Sequence, residues 1–149
     1  MINNHLKKTT QSVPVIFIVE DNMVYAKSLK EYLTLNFTSP VNIQIFSLGE
    51  LCLAEIDSNP NVIIMDYFLN SKYKNANNGI EIIKRIKVLR PETNIIILST
   101  HEKNEIIDQT MKLYNCQYIK KDVSAFKKVV QLIKAILLNK TPKPFESLN

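Results

Sequence analysis

Val62-Ile63-Ile64-Met65-Asp66 is the stretch that decides the fold of this chain. Four apolar, mostly β-branched residues run straight into a carboxylate, a pattern that predicts a strand buried on both faces and ending on an acid. Open α/β sheets do their chemistry at the carboxyl ends of their strands. An earlier run, Val15-Ile16-Phe17-Ile18-Val19, closes in the same way on Glu20-Asp21. As neighbouring parallel strands, the two runs bring three carboxylates to one rim. Two unit charges about 4 Å apart repel by roughly 4 kcal/mol at an effective dielectric near 20. A hard divalent cation with oxygen ligands is the usual remedy, so the pattern predicts an acidic pocket that binds magnesium.

Outward from these strands, apolar runs alternate with helical periods. Tyr25, Leu29, Tyr32 and Leu33 predict a first helix closing near Asn36, followed by a short strand over Ile43 to Phe46. Ser47 and Glu50 have capping-box spacing and predict a second helix running through Ile56, before Asp57-Ser58-Asn59-Pro60 turns the chain into the Val62 strand. After Asp66, the polar, Asn-rich stretch from Asn70 to Gly79 reads as loop beside the acidic rim. Ile82, Ile83, Ile86 and Leu89 make the next helix, which Pro91 ends, and Asn94 to Leu98 is a buried strand closing on Ser99-Thr100. A helix through Ile107, Met111 and Tyr114 stops at Asn115 in a left-handed cap, and Gln117 to Lys120 is a fifth strand with Lys121 at its end. Ser124 is placed to cap a last helix whose core face is Phe126, Val129, Val130, Ile133, Ile136 and Leu137. Five strand-helix pairs of this kind predict a parallel sheet covered on both sides.

With 149 residues the chain is expected to form one domain over 14–140, preceded by a polar arm over 1–13 and followed by a Pro-containing tail or linker start over 141–149. Its composition is 46% hydrophobic and 22% charged, with no apolar run near the length of a membrane span, so a cytoplasmic protein is expected. Cys52 and Cys116 lack metal or redox spacing and read as reduced thiols. The net charge of +5 comes from lysines spread over helix faces and tails, which argues against direct nucleic-acid binding. Only two glycines are present, too few for a Gly-rich phosphate cradle.

Glu20, Asp21, Asp66, Ser99 and Lys121 thus gather at the strand ends. Carboxylates and a cation neutralise charge, one carboxylate can serve as nucleophile, and a hydroxyl and an ammonium can hold phosphoryl oxygens. Through Ile18-Val19-Glu20-Asp21-Asn22, Ile63-Ile64-Met65-Asp66, Ile97-Leu98-Ser99-Thr100 and Tyr118-Ile119-Lys120-Lys121-Asp122, the sequence resembles the receiver domain of two-component response regulators, from Val15 to about Asn139. The resemblance implies a flavodoxin-like doubly wound (βα)5 fold with strand order 2-1-3-4-5. It implies a phosphoacceptor rather than an enzyme: Asp66 would take a phosphoryl group from a sensor histidine kinase or a histidine phosphotransfer protein. By the same resemblance, Asp21, Asp66 and the backbone carbonyl of Phe68 would hold magnesium directly, and Glu20 largely through water. Lys121 and Ser99 would contact the phosphoryl oxygens and Tyr118 would be the aromatic switch. Thr100, bulkier than the small residue common there, would slow transfer.

The surplus apolarity of the last helix, with Leu132 and Leu138 beyond its stripe, suggests a partner face, and the resemblance places a homodimer or target contact on the fourth helix, fifth strand and fifth helix. His101 reads as a surface loop histidine, and Lys72, Tyr73 and Lys74 as part of a solvated loop. Three other readings are weaker. A flavin or nucleotide binder on this fold needs a phosphate-receiving loop where Glu20-Asp21 stand. A magnesium-dependent phosphohydrolase wants a second acid where Phe68 stands. A receiver working only as a fixed interaction module has no need of the full acid, hydroxyl and lysine set.

Overall fold

A computed structural model describes residues 12–69 and 78–138. The expected N-terminal arm up to residue 11, loop residues 70–77 and the tail lie outside the described residues. Elements alternate along the chain: β1 (Val15–Val19), α1 (Met23–Asn36), β2 (Asn42–Phe46), α2 (Gly49–Ala54), β3 (Val62–Asp66), α3 (Gly79–Leu89), β4 (Asn94–Ser99), α4 (Glu105–Tyr114), β5 (Gln117–Lys120) and α5 (Ala125–Leu137). The strands are all parallel, in the order β2-β1-β3-β4-β5. This is the flavodoxin-like order, with β1 and β3 side by side where the winding direction reverses.

Side chains that alternate along a strand point to opposite faces, so each apolar strand feeds two cores. On one face Ile16, Ile18, Ile64, Ile96, Leu98 and Ile119 meet Leu29 and Leu33 of α1 and Val129 and Ile133 of α5. On the other, Phe17, Ile63, Met65, Ile95 and Ile97 meet Cys52 of α2 and Ile82, Ile83 and Ile86 of α3. Every residue of β3 is buried, which accounts for its unbroken apolar run. Each such side chain contributes about 1.5–3 kcal/mol when fully withdrawn from water.

Four local expectations are corrected. The Ser47/Glu50 capping box does not form: α2 begins at Gly49 with Leu48 as its N-cap and no side-chain bond. Gly49 lies against Ile82, where a Cβ would fall 2.2 Å from Cγ1. The same helix ends at Ala54 rather than Ile56; Ile56–Ser58 is a 3-10 turn closed by Asn59 in the left-handed region at φ 54°. Ser124 precedes α5 but its hydroxyl does not cap it. Asp122 takes the bonding role instead, accepting from the Ser124 amide at 2.9 Å and from its hydroxyl at 2.7 Å. Leu132 is core, 3% exposed, whereas Leu138 at 66% does face outward. Asn115 adopts the left-handed conformation expected of it, at φ 51°, ψ 51°.

Candidate functional site

The carboxyl edge of the sheet is built by main-chain ladders that outrun the strands. The Glu20 amide donates to the Phe46 carbonyl at 3.0 Å, Tyr67 to Leu98 at 2.8 Å, and Lys121 to Ser99 at 2.7 Å. These bonds fix the first residue after β1, β3 and β5 respectively. Gly79 lets α3 start hard against this edge, since a Cβ there would fall 2.4 Å from the Asp66 carbonyl oxygen. A Cβ there would meet main chain rather than the end of a flexible side chain, so any larger residue forces the edge itself to shift.

On this edge Glu20, Asp21 and Asp66 each offer a carboxylate oxygen, all within 4.8 Å of one another. Glu20 and Asp66 are buried, 3% and 5% exposed, and Asp21 is half-buried. Lys121 reaches in from the far side of the sheet order, its Nζ 2.6 Å from Glu20 Oε2 and 3.3 Å from Asp66 Oδ1. Burial, and then the neighbouring Asp66 charge, raise the Glu20 carboxyl to about 7 against the opposing pull of the Lys121 hydrogen bond. At 4.8 Å each carboxylate pair still repels by about 3.5 kcal/mol at an effective dielectric of 20. One ammonium cannot neutralise three carboxylates, and the donor set, hard oxygens only, fits a divalent cation such as magnesium. The Phe68 amide donates to Asp66 Oδ1 at 3.2 Å. Among the described residues both polar contacts of the Asp66 carboxylate therefore fall on Oδ1 and leave Oδ2 open.

Ser99 is fully buried at the end of β4, its Oγ accepting from the His101 amide at 3.1 Å. Thr100 is exposed, and its hydroxyl pairs with His101 Nδ1 at 3.1 Å rather than with the acids. Tyr118 is half-buried on β5 and donates its hydroxyl to the His101 carbonyl. The His101 side chain is exposed, as expected, but its ring lies 4.7 Å from that of Phe68 and its main chain joins Ser99 to Tyr118. Nothing in the sequence around His101 signals that bridging position.

A second residue outside the expected set is Tyr25, read from the sequence only as a helix-period residue. The Lys121 ammonium stands 4.7 Å above its ring centroid. Burial, with the Glu20 and Asp66 charges behind it, pushes the Tyr25 phenol up to about 12.

Comparison with family models matches residues 16–134 to the response regulator receiver domain. The chain belongs to that family. Among solved structures, this receiver domain is similar to the phosphorylated cyanobacterial phytochrome response regulator RcpA, at 26% identity and a TM-score of 0.72, over 87% of this chain and 98% of that one. It shares its fold with the BeF3-activated DrrB receiver domain (23% identity, TM-score 0.70, 85% and 99% of the two chains). A CheY-like receiver domain protein from Methanospirillum hungatei JF-1 shares it too (20%, 0.69, 85% and 96%). No curated protein matches the chain. Receiver domains are signalling phosphoacceptors of two-component systems, and among the described residues of this one no helix is long and apolar enough to cross a membrane.

Proposed function

We propose that this receiver domain accepts a phosphoryl group on Asp66 from a phosphohistidine of a sensor histidine kinase or phosphotransfer protein in the cytoplasm. The observation that carries the reading is the Lys121 ammonium, 2.6 Å from Glu20 and 3.3 Å from Asp66 Oδ1, with Oδ2 of Asp66 free of polar contacts among the described residues. Oδ2 attacks phosphorus, the bond from phosphorus to the histidine nitrogen breaks, and the imidazole leaves with its electron pair and takes up a proton. Lys121 is already placed to move from the carboxylates to the phosphoryl oxygens, and Ser99 supplies a hydroxyl donor once it leaves the His101 amide.

Asp21, Asp66 and the Phe68 carbonyl would hold Mg2+, with Glu20 acting largely through water, and the ion would supply charge neutralisation for the incoming phosphoryl oxygens. The three carboxylates clustered within 4.8 Å support that ligand set. When Ser99 turns toward the phosphoryl group, Tyr118 loses the support of the His101 main chain that both share, and its ring repositions on β5. The readout face is α4, β5 and α5, through a homodimer or a target protein; Ile106, 58% exposed on α4, is an apolar anchor for it. The domain is not an enzyme in this reading; it turns over only as fast as its acyl phosphate hydrolyses.

The test is incubation with acetyl phosphate, or with beryllium fluoride, in the presence of Mg2+, for the wild type and Asp66→Asn. Intact mass should show one phosphoryl group on the wild type and none on the variant. Equal modification of both would place the acceptor elsewhere.

A further inference from the structure

We propose that Tyr25 is a positioning residue of the phosphoryl site: the face of its ring holds the Lys121 ammonium within reach of Asp66. This rests on the reading of Lys121 as the cation that meets the phosphoryl group. Lys121 follows β5 on a long flexible stem, and rotamer freedom alone would let its ammonium leave the pocket for water. Among the described residues three partners restrain it: Glu20 at 2.6 Å, Asp66 at 3.3 Å and the Tyr25 ring face at 4.7 Å. The two carboxylate contacts are directional and change when Asp66 is modified. The ring contact survives such a change, because an ammonium over an aromatic face can slide without losing its attraction.

The ring is itself fixed in place. Tyr25 stands in the first turn of α1, its amide donating to the N-cap Asn22 Oδ1 at 3.1 Å, one residue beyond Asp21. Phe126 of α5 packs edge-on against it at 5.3 Å and 72°, and Tyr32 supports Phe126 from behind at 5.6 Å. Among the described residues the buried Tyr25 hydroxyl has no hydrogen-bond partner. The part of Tyr25 that meets the site is therefore its aromatic face, over which the Lys121 ammonium stands. The competing account is that Tyr25 merely fills the α1–α5 core, beside which it packs.

Tyr25→Phe keeps the face and removes the hydroxyl, whereas Tyr25→Leu and Tyr25→Met keep apolar bulk without a face. Two readouts separate positioning from packing. In the unmodified wild type, the Lys121 ε-methylene protons should show an upfield ring-current shift by NMR; it should persist in Tyr25→Phe and vanish in Tyr25→Leu and Tyr25→Met. This measurement involves no phosphate and so stands even if the acceptor reading falls, whereas modification of Asp66→Asn would sink that reading and leave the shift untouched. Beryllium fluoride with Mg2+ should bind Tyr25→Phe within about twofold of the wild type, while loss of the face should weaken binding roughly 2- to 30-fold, the span of a cation-π contact. If Tyr25→Leu does not fold, the Tyr25→Met arm and the wild-type shift decide. Absence of the shift in the wild type, wild-type affinity in the faceless variants, or equal losses in Tyr25→Phe and Tyr25→Met would overturn the proposal.

Discussion

Replacing Glu20 by glutamine should make the protein more stable at neutral pH, and the size follows from the pocket. Glu20 is 3% exposed, beside Asp66 and bonded to Lys121. Its carboxyl rises from 4.5 to about 7, chiefly through burial. With the folded value above the unfolded one, the folded protein holds a proton that the unfolded chain has released between those two pH values. Stability from this group is then complete below about 4.5, falls as pH rises toward 7 and is flat above. Two to three pH units at about 1.4 kcal/mol each correspond to about 3 kcal/mol. Glutamine is nearly isosteric and uncharged at every pH, so the variant should match the wild type near pH 4.5. By pH 8 it should exceed it by up to about 3 kcal/mol, less the part of the Lys121 bond that needs a charged acceptor. The assay is urea unfolding followed by circular dichroism from pH 4.5 to 8 in EDTA, with midpoints compared at constant slope. A stability difference that did not change with pH, or that favoured the wild type increasingly as pH rose, would refute the argument. Mg2+ should stabilise both proteins through Asp21 and Asp66 and narrow the gap at pH 8, because the charged Glu20 adds attraction for the ion that glutamine lacks.

Gly79→Ala should disturb the site more than the fold: the new Cβ needs about 1 Å of retreat from the Asp66 carbonyl, so phosphorylation by acetyl phosphate should fall at least severalfold while the melting temperature drops by only a few degrees. Cys52 and Cys116 are buried, and burial pushes their thiols up to about 12 and 11, so a thiol reagent at pH 8 should label neither until urea unfolds the chain; prompt labelling of native protein would contradict the core packing. Asp122→Ala should cost about 0.5–1.5 kcal/mol by removing the acceptor for Ser124 ahead of α5. The Ser124 bonds hold the Asp122 carboxyl below its usual value, so this contribution is present above about pH 4 and fades as acid protonates the group, visible as convergence of wild-type and variant melts at low pH.

The central strands β3 and β4 were legible because they are buried on both faces, which leaves the sequence no room for polar residues between Val62 and Met65 or between Ile95 and Leu98; β2 and β5 are only partly buried. Parallel pairing and the carboxyl-edge position of Glu20, Asp21, Asp66, Ser99 and Lys121 followed from that periodicity. Capping was less legible. Ser47, Glu50 and Ser124 stand at plausible spacings, yet α2 starts after Leu48 and the Ser124 hydroxyl turns back to Asp122, choices between near-equivalent local bonds that spacing alone does not make. The Tyr25 ring was invisible for a related reason. A tyrosine at helical spacing reads as core, and only the meeting of α1 with the β5–α5 connection puts a lysine over its face.

Lys120 and Lys121 are adjacent in sequence, yet the first bonds Glu102 in the open while the second enters the acid pocket. Pleating assigns them to opposite sides, and the Ser99 carbonyl that receives the Lys121 amide decides which is which. A one-residue deletion within this edge strand would keep a positive charge at the same distance from the end of the chain and still starve the acceptor. Homologues aligned here by residue type alone would miss that loss, whereas counting back from the Ser99 pairing would find it.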